Sequence, residues 1–537
     1  MEDGVMRGRV SAHELKAWLR DGGEIAVLDV REHGQYGEGH LFHAAPLPYS
    51  RLEAGIERLV LVRSTRVVLH DDGRSGVAEL ALRRIEALGY TNAFVLDGGT
   101  EAWVAAGYRL FAGVNVPSKT FGELVEHAYE VPAIPPDELE ARRRAGEKLI
   151  VVDGRPVDEY RKFSIPGATC CPNGELVYRI QELAPDPDTT IVVNCAGRTR
   201  SIVGAQLLRG FGVGNPVLAL RNGTQGWRLA GLALEHGADR AYPAPPQGSV
   251  AKALQREADR FAARHGVKRV GTETLRQWLG EADRTTYVLD IRTPEEFAAG
   301  HLPIAVHAPG GQLLQATDQW LAVRGARVVL VDDTEVRAIA IAHWLGQMGW
   351  DAAILRGGEA AWSDLADIQP PPPRWPTLLP DLPTIAPGEL ARMRADDDAA
   401  IVDLRASAAF RQAHLAGAVW SIRPAAAALA RRLPTQTEAV LVADDEAVAR
   451  AYAVDWREQG KIARGVMFAP SSEWASGGLA VESSPDDPPD AERIDFLFFV
   501  HDRHDGNLDA ARRYLAWETG LVDQLDEDER ASFRLAV

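Results

Sequence analysis

One spacing recurs four times along the chain and limits what it can fold into. A short apolar strand ends in an Asp-x-Arg signature at VLDVR (27–31), VVDGR (151–155), VLDIR (288–292) and IVDLR (401–405). A second strand end follows 42 residues after each aspartate, at Asp71, Cys195, Asp332 and Asp445. A tryptophan closes each copy: Trp103, Trp227, Trp362 and Trp474 follow at 32, 32, 30 and 29 residues. Chance does not produce four such coincidences, so the chain reads as four homologous units of roughly 100–110 residues. Within each copy, short apolar strands alternate with helical stretches. That alternation predicts an α/β fold in which each unit is a parallel sheet flanked by helices on both faces.

The expected domains are 1–112, 131–236, 266–372 and 376–480, with a C-terminal helical tail at 491–537. GVNVPSKT (113–120), AYPAPPQGS (241–249) and QPPPPRWP (369–376) are read as joining segments, and ESSPDDPPDAE after Val481 as an acidic break. In the tail, Asn507 suits the cap of a helix in which Leu508, Ala511, Leu515 and Val522 recur near helical spacing.

A net charge of −17 argues against nucleic acid or an anionic membrane surface as the main partner. No stretch approaches the roughly 20 apolar residues of a membrane span. The start, MEDGVMRGRVSAHELKAWL, has no signal-type apolar core. Only Cys170, Cys171 and Cys195 are cysteines, too few for a disulfide framework, and a reducing cytoplasm is the expected setting.

The second strand end is built four times but armed once. VVNCAGRTRS (192–201) holds a cysteine where VVLHDDGRSG (67–76), VVLVDDTEVR (328–337) and VLVADDEAVA (440–449) hold aspartates. In open α/β sheets, ligands bind at the carboxyl ends of strands near helix N-termini. The strand before Cys195 ends there, and a helix starts near Ser201. Between them Ala196, Gly197, Arg198, Thr199 and Arg200 can curl so that backbone N–H groups face the sulfur. Such a cradle binds anions and favours a thiolate. Arg198 and Arg200 add permanent positive charge for an anionic substrate, and Arg198 is expected to project toward the pocket mouth. A buried, inert cysteine is the alternative, which adjacent arginines do not suit.

The units resemble rhodanese domains over nearly all of residues 1–480. The likeness rests on the Asp-x-Arg strand end, a Gly-His-x-Pro/Ala type of turn, the cysteine loop and a Gly-Gly-x-x-x-Trp segment. CAGRTRS is similar to the active-site loop of single-cysteine sulfurtransferases. The resemblance implies that Cys195 takes a sulfane sulfur from a small anionic donor, such as thiosulfate or a mercaptopyruvate-like thiol. The cysteine would hold it as a persulfide and pass it to a thiol or cyanide acceptor. Ala196, Gly197, Arg198, Thr199, Arg200 and Ser201 would form the substrate loop. No cofactor and no metal are expected. One departure is that glycine usually stands three residues after the cysteine, whereas here Gly197 is at plus two and Arg198 at plus three. A cysteine phosphatase or arsenate reductase is a rival reading, but such loops place arginine at plus six, where this chain has Ser201. An interaction scaffold with one residual site is the other rival, since three units lack the cysteine.

The remaining candidates carry bland readings beside functional ones. Asp71, Asp332 and Asp445 are expected to fill their own loops by accepting amide hydrogen bonds. Asp153 and Arg155 suit an internal ion pair, with substrate contact by Arg155 the alternative. Asn222 and Trp227 either line the pocket or serve the turn and core. Cys170 and Cys171 suit packing, with a resolving role as alternative. Glu159 suits solvent or a pairing role. In VNVPSKTFGELVEH (114–127), Lys119 and His127 either cover the pocket or belong to a linker helix. His501 and His504 lack further ligands for a metal. A homodimer surface or an acceptor protein are the larger partners considered.

Overall fold

The strand Thr190–Asn194 sets the frame of the site: five residues, TIVVN, with the last four buried. An apolar β-branched run of that length with no polar face belongs in the middle of a parallel sheet covered on both sides. The computed structural model places it there. It describes residues 8–396, 399–434, 438–504 and 506–535. The first seven residues, on which part of the leader reading rests, lie outside the described residues.

The chain divides into two compact units, each discontinuous in sequence. One comprises Arg20–Glu24, Asn115–Pro370 and Val500–Val537, and therefore holds the second and third repeats. Its first sheet has five parallel strands in the order Ala133–Ile134, Val217–Leu220, Thr190–Asn194, Leu149–Asp153, Thr169–Cys170. Its second repeats that order with Lys268–Val270, Asp351–Leu355, Arg327–Val331, Thr286–Asp290 and Val306–His307.

The other unit comprises Met1–Leu19, Ile25–Val114 and Pro371–Phe499. Five of its strands pair in the order Arg9–Val10, Ala93–Leu96, Arg66–His70, Ile25–Asp29, Ala45–Pro46, all parallel. Four more form a parallel sheet: Val419–Trp420, Ala400–Asp403, Glu438–Val442 and Ile462–Met467. Repeated parallel sheets with helices between the strands are the α/β architecture expected from the alternation. Among the described residues, no helix is long and apolar enough to cross a membrane.

Every Asp-x-Arg signature closes on itself. Arg155 Nε donates to Asp153 Oδ1 at 2.8 Å and Nη2 to Oδ2 at 2.7 Å, while Nη2 also reaches the Phe163 carbonyl at 2.6 Å. Arg31, Arg292 and Arg405 make the same bonds to Asp29, Asp290 and Asp403, and each reaches the carbonyl eight residues on. A buried carboxylate at a strand end is tolerable because this bidentate pairing meets it. Arg155 is fully buried, as an internal pair requires. Trp227 is a core residue, 2% exposed, packed with Ile134, Leu139, Val151 and Leu220, and its indole N–H donates to the Ala233 carbonyl at 2.8 Å.

The stretch before the second repeat holds a linker helix, as the sequence suggested: Val116–Tyr129, 14 residues with nine buried. One segment differs from the simplest reading of the sequence. In the tail, Asn507 caps the helix Leu508–Thr519 by accepting from the Ala510 amide at 2.9 Å, as its side chain predicts. That helix stops at Gly520, so Val522 falls in a short 3-10 turn rather than on the same face.

Candidate active site

Cys195 is the residue directly after the strand Thr190–Asn194, and the helix Thr199–Gly210 begins four residues later. The intervening loop is pinned from behind. The Cys195 carbonyl accepts from the Thr224 amide at 2.9 Å, and the Ala196 carbonyl accepts from the Gln225 amide and from its Nε2, both at 3.2 Å. A trans peptide sets each N–H opposite the preceding carbonyl, so the amides of Ala196 and Gly197 face away from residues 224–225. This clamp requires a glycine: a Cβ on Gly223, whose φ is +52°, would lie 2.2 Å from the Cys195 carbonyl oxygen. Asn222 precedes it in the left-handed region at φ +59°, which asparagine tolerates.

Cys195 is only 2% exposed, and its Sγ lies 3.6 Å from Ser201 Oγ, to which it donates; that hydroxyl in turn donates to the Arg198 carbonyl at 2.7 Å. Both loop arginines are engaged with carboxylates. Arg198 turns to the helix Val116–Tyr129, pairing with Glu123 at 2.7 and 2.9 Å and with Glu126, and it donates to Asn222 Oδ1 at 3.1 Å. The sequence reading placed it toward the pocket mouth; the two acidic side chains draw it aside. Burial pushes the Glu123 carboxyl up to about 7, opposed by Arg198. Arg200 grips Glu159 at 2.9 and 2.8 Å. Burial works against the Glu159 charge, but Arg200 outweighs it and holds the carboxyl below its ordinary range. Glu159 is thus paired.

The tail supplies a wall that sequence reasoning did not foresee. Thr199 Oγ1 donates to Glu518 Oε1 at 2.7 Å, and Glu518 Oε2 is buried without a hydrogen-bond partner. A Cβ on Gly197 would sit 3.1 Å from both Glu518 Oε2 and Tyr514 Cε1, so the tail helix also packs against the loop's glycine. Lys119, 7% exposed, donates to the Tyr514 hydroxyl and lies 4.0 Å from Glu518. Burial lowers the pKa of its ammonium, against the pull of Glu518 and Cys195. The close approach of the Lys119 helix depends on Gly122, where a Cβ would stand 2.8 Å from Thr199 Cγ2. His127 on the same helix is exposed and takes no part. His504 stacks on Phe163 with ring centroids 5.5 Å apart, and its pKa is lowered to about 3, chiefly by burial and then by Arg503, Arg155 and Arg200. The weak signal in the sequence was charge on an apolar helix: Lys119 and Glu123 stand four apart among buried neighbours.

Cys170 and Cys171 are buried and unpaired with each other. Cys170 donates to the Arg155 carbonyl at 3.5 Å, and burial pushes its thiol up to about 12; burial also holds the Cys171 thiol well above the ordinary thiol range. Both behave as packing residues. Among the described residues, no cluster of His, Cys, Asp or Glu is arranged to hold a metal.

The aspartates at the other three turns occupy their own loops. Asp71 accepts from the Gly73 amide at 2.7 Å, the Ser75 hydroxyl at 2.7 Å and the Ala78 amide at 3.1 Å. Asp445 caps the helix Glu446–Glu458 through the amides of Ala447 and Val448. Asp332 accepts from the Arg337 amide at 2.9 Å and pairs with its side chain, which also binds Asp333, Glu175 and Glu296. In each, a built-in carboxylate sits where the armed loop carries a sulfur.

The sequence profile of the rhodanese-like domain matches residues 11–106, 135–230 and 272–365. A crystal structure of a thiosulfate sulfurtransferase from Pseudomonas aeruginosa is 42% identical, with a TM-score of 0.90 over 98% of this chain and 99% of that one. An HTH-type transcriptional regulator of Mycobacterium tuberculosis is 38% identical over 136 residues, 24% of this chain, which spans 59% of the regulator's length. SseB of the same species, a candidate thiosulfate sulfurtransferase, is 26% identical over 209 residues, covering 32% of this chain and 73% of SseB.

Proposed function

The chain belongs to the rhodanese family, and we propose from that premise that it is a sulfurtransferase whose only sulfur carrier is Cys195. The observation that carries this reading is the contrast between the four equivalent turns. One presents a cysteine whose sulfur meets the Ser201 hydroxyl, and three present a carboxylate that already occupies the loop. The 42% identity to a thiosulfate sulfurtransferase across almost the whole chain supports sulfur transfer as the chemistry. Residues 376–480 are read as a fourth copy because Asp403 and Arg405 close as in the other three and Asp445 fills the same turn.

In the proposed reaction the Cys195 thiolate attacks the outer sulfur of an anionic donor such as thiosulfate. A bond forms between Cys195 Sγ and that sulfur, the donor's S–S bond breaks, and sulfite leaves with the electron pair. The amides of Ala196 and Gly197 then stabilise the terminal sulfur of the persulfide, with Arg200 and Ser201 holding the loop. A thiolate or cyanide attacks the outer sulfur and regenerates Cys195. No cofactor enters. Three unpaired cysteines fit a cytoplasmic setting.

The test is mass spectrometry of the protein after thiosulfate. One added sulfur atom on Cys195 is expected. Cys195→Ser is expected to abolish transfer, while Cys170→Ser and Cys171→Ser keep most of it. Substantial turnover in Cys195→Ser protein would falsify the assignment. The scaffold reading, favoured by the three carboxylate-filled turns, predicts no persulfide at all in the parent protein.

A further inference from the structure

Resting on that reading, we propose that the group that meets the donor's anionic end is Lys119, outside the loop, held in place by Tyr514 and Glu518 of the tail helix. The loop arginines are poorly placed for this task. Arg198 faces two carboxylates and Arg200 is in a two-bond grip with Glu159, so each positive charge is matched locally. Arg155 is fully buried and paired with Asp153 through Nε and Nη2, with its Nη1 unpartnered. Lys119 differs in two respects. Its ammonium has three donors, of which one goes to the neutral Tyr514 hydroxyl, and the nearest carboxylate, Glu518, is 4.0 Å away. It is also buried, at 7% exposure, and the Tyr514 ring that it meets abuts the loop at Gly197.

Glu518 completes the argument. Its Oε1 is tied to Thr199, the first residue of the active-loop helix, and its Oε2 is buried and unpartnered. The Tyr514 ring and Glu518 both abut Gly197, two residues from the sulfur. The tail helix and the Lys119 helix therefore bring an ammonium and a buried, unpartnered carboxylate oxygen against the loop that carries Cys195. A sulfonate-type anion bound at the sulfur would take the ammonium's remaining hydrogen bonds. As the donor's S–S bond breaks, the electron pair goes to the departing sulfite, and Lys119 is the cation beside it. The site's ligand class is then a sulfur donor with an anionic leaving group. Tyr514 is a positioning residue in this scheme, since it acts through Lys119.

The test measures charge selectivity at Cys195 without requiring sulfur transfer. In the full-length protein, the rate of Cys195 alkylation by iodoacetate is divided by that by iodoacetamide, each read on the Cys195 peptide by mass spectrometry. Lys119→Met is expected to lower this ratio about 10-fold or more, as for loss of a hydrogen bond between charged groups. Lys119→Arg is expected to stay within about threefold of the parent, and Tyr514→Phe to lower the ratio roughly two- to fivefold. With thiosulfate as donor, kcat/KM of Lys119→Met is expected to fall in parallel with that ratio. A folded Lys119→Met protein with an unchanged ratio, or with both reagents slowed equally, overturns the proposal. If Lys119→Met does not fold, an unchanged ratio in Tyr514→Phe overturns it. Failure of the parent to form any persulfide would sink the sulfurtransferase reading instead, and the alkylation ratio would still judge Lys119.

Discussion

Arg198 holds the Glu123 carboxylate through two nitrogens, Nε at 2.7 Å and Nη2 at 2.9 Å, with Glu123 almost wholly buried. An arginine three residues beyond Cys195 is thereby a strut between the loop and the helix that precedes the second repeat. Its guanidinium braces the loop from the side.

Removing that strut is expected to show first as lost stability. Arg198→Ala leaves Glu123 and Glu126 without their cation, and breaking a buried pair from one side costs about 3–5 kcal/mol. Adding Glu123→Gln is expected to recover a large part of the loss. Calorimetry of the parent, the single variant and the double variant checks this. In steady-state kinetics, Arg198→Ala should lower kcat at least as much as it raises KM for thiosulfate. A pure KM effect would assign Arg198 to the donor after all.

Arg200 is expected to matter for the reactivity of the sulfur. Its guanidinium interacts with the charge on Cys195 and is paired with Glu159. Arg200→Ala removes positive potential from the thiolate and leaves Glu159 in its place. Alkylation of Cys195 by iodoacetamide at neutral pH should slow about 10-fold, as for loss of a nearby opposite charge. Glu159→Gln should have the opposite sign. Alkylation rates unaffected by either change would remove Arg200 from the thiolate's field.

Rearming the third turn is expected to fail. Asp332→Cys in a Cys195→Ser background supplies a sulfur at the matching position, but Arg337 stays bound to Asp333, Glu175 and Glu296. Glu335, at φ +66°, carries the backbone where the armed loop has Arg198. No persulfide should form with thiosulfate, and the variant should lose about 1–3 kcal/mol from the hydrogen bonds Asp332 accepted. Mass spectrometry and thermal denaturation give the two readouts.

Acid is expected to loosen the tail through His504. Its folded pKa is depressed to about 3, against an ordinary 6.5. The unfolded chain therefore binds a proton that the folded ring refuses. The stability contributed by the neutral ring is fully present above about pH 6.5 and is lost as pH falls toward about 3. Arg503, Arg155 and Arg200 oppose the added charge, and Glu159 favours it. Between pH 7 and 5 the loss should be about 1–2 kcal/mol, allowing for partial exposure of the ring. His504→Phe should flatten that part of the profile. Hydrogen exchange of residues 508–519, compared at the two pH values in both proteins, measures it.

The parts of this molecule that sequence reasoning reached are those whose partners lie close along the chain. Arg155 closes on an aspartate two residues back and a carbonyl eight residues on, so a five-residue signature contained most of its structure. Asn507 capping the helix at Leu508, and the aspartates filling their loops, are equally local. The site's walls are not. Arg198 meets Glu123 and Glu126 from 75 and 72 residues earlier, and Thr199 meets Glu518 from 319 residues later. No periodicity or turn preference encodes such pairings; they arise when a helix edge opened by Gly122 and a loop narrowed at Gly197 let distant elements approach. The charges themselves were visible, but whether Lys119 and Glu123 faced water or buried partners was settled by packing.

The tail's place beside Cys195 also has a meaning in time. During synthesis the loop 195–201 and both sheets of its unit exist once residue 355 has been made, yet Tyr514 and Glu518 are still about 160 residues away. At the elongation rates of roughly 5–20 residues per second that govern nascent chains, the sulfur spends on the order of ten seconds or more without its wall. Until then the loop lacks the side of its surroundings that Tyr514 and Glu518 supply. The helix Leu508–Thr519 closes that side of the loop as it docks.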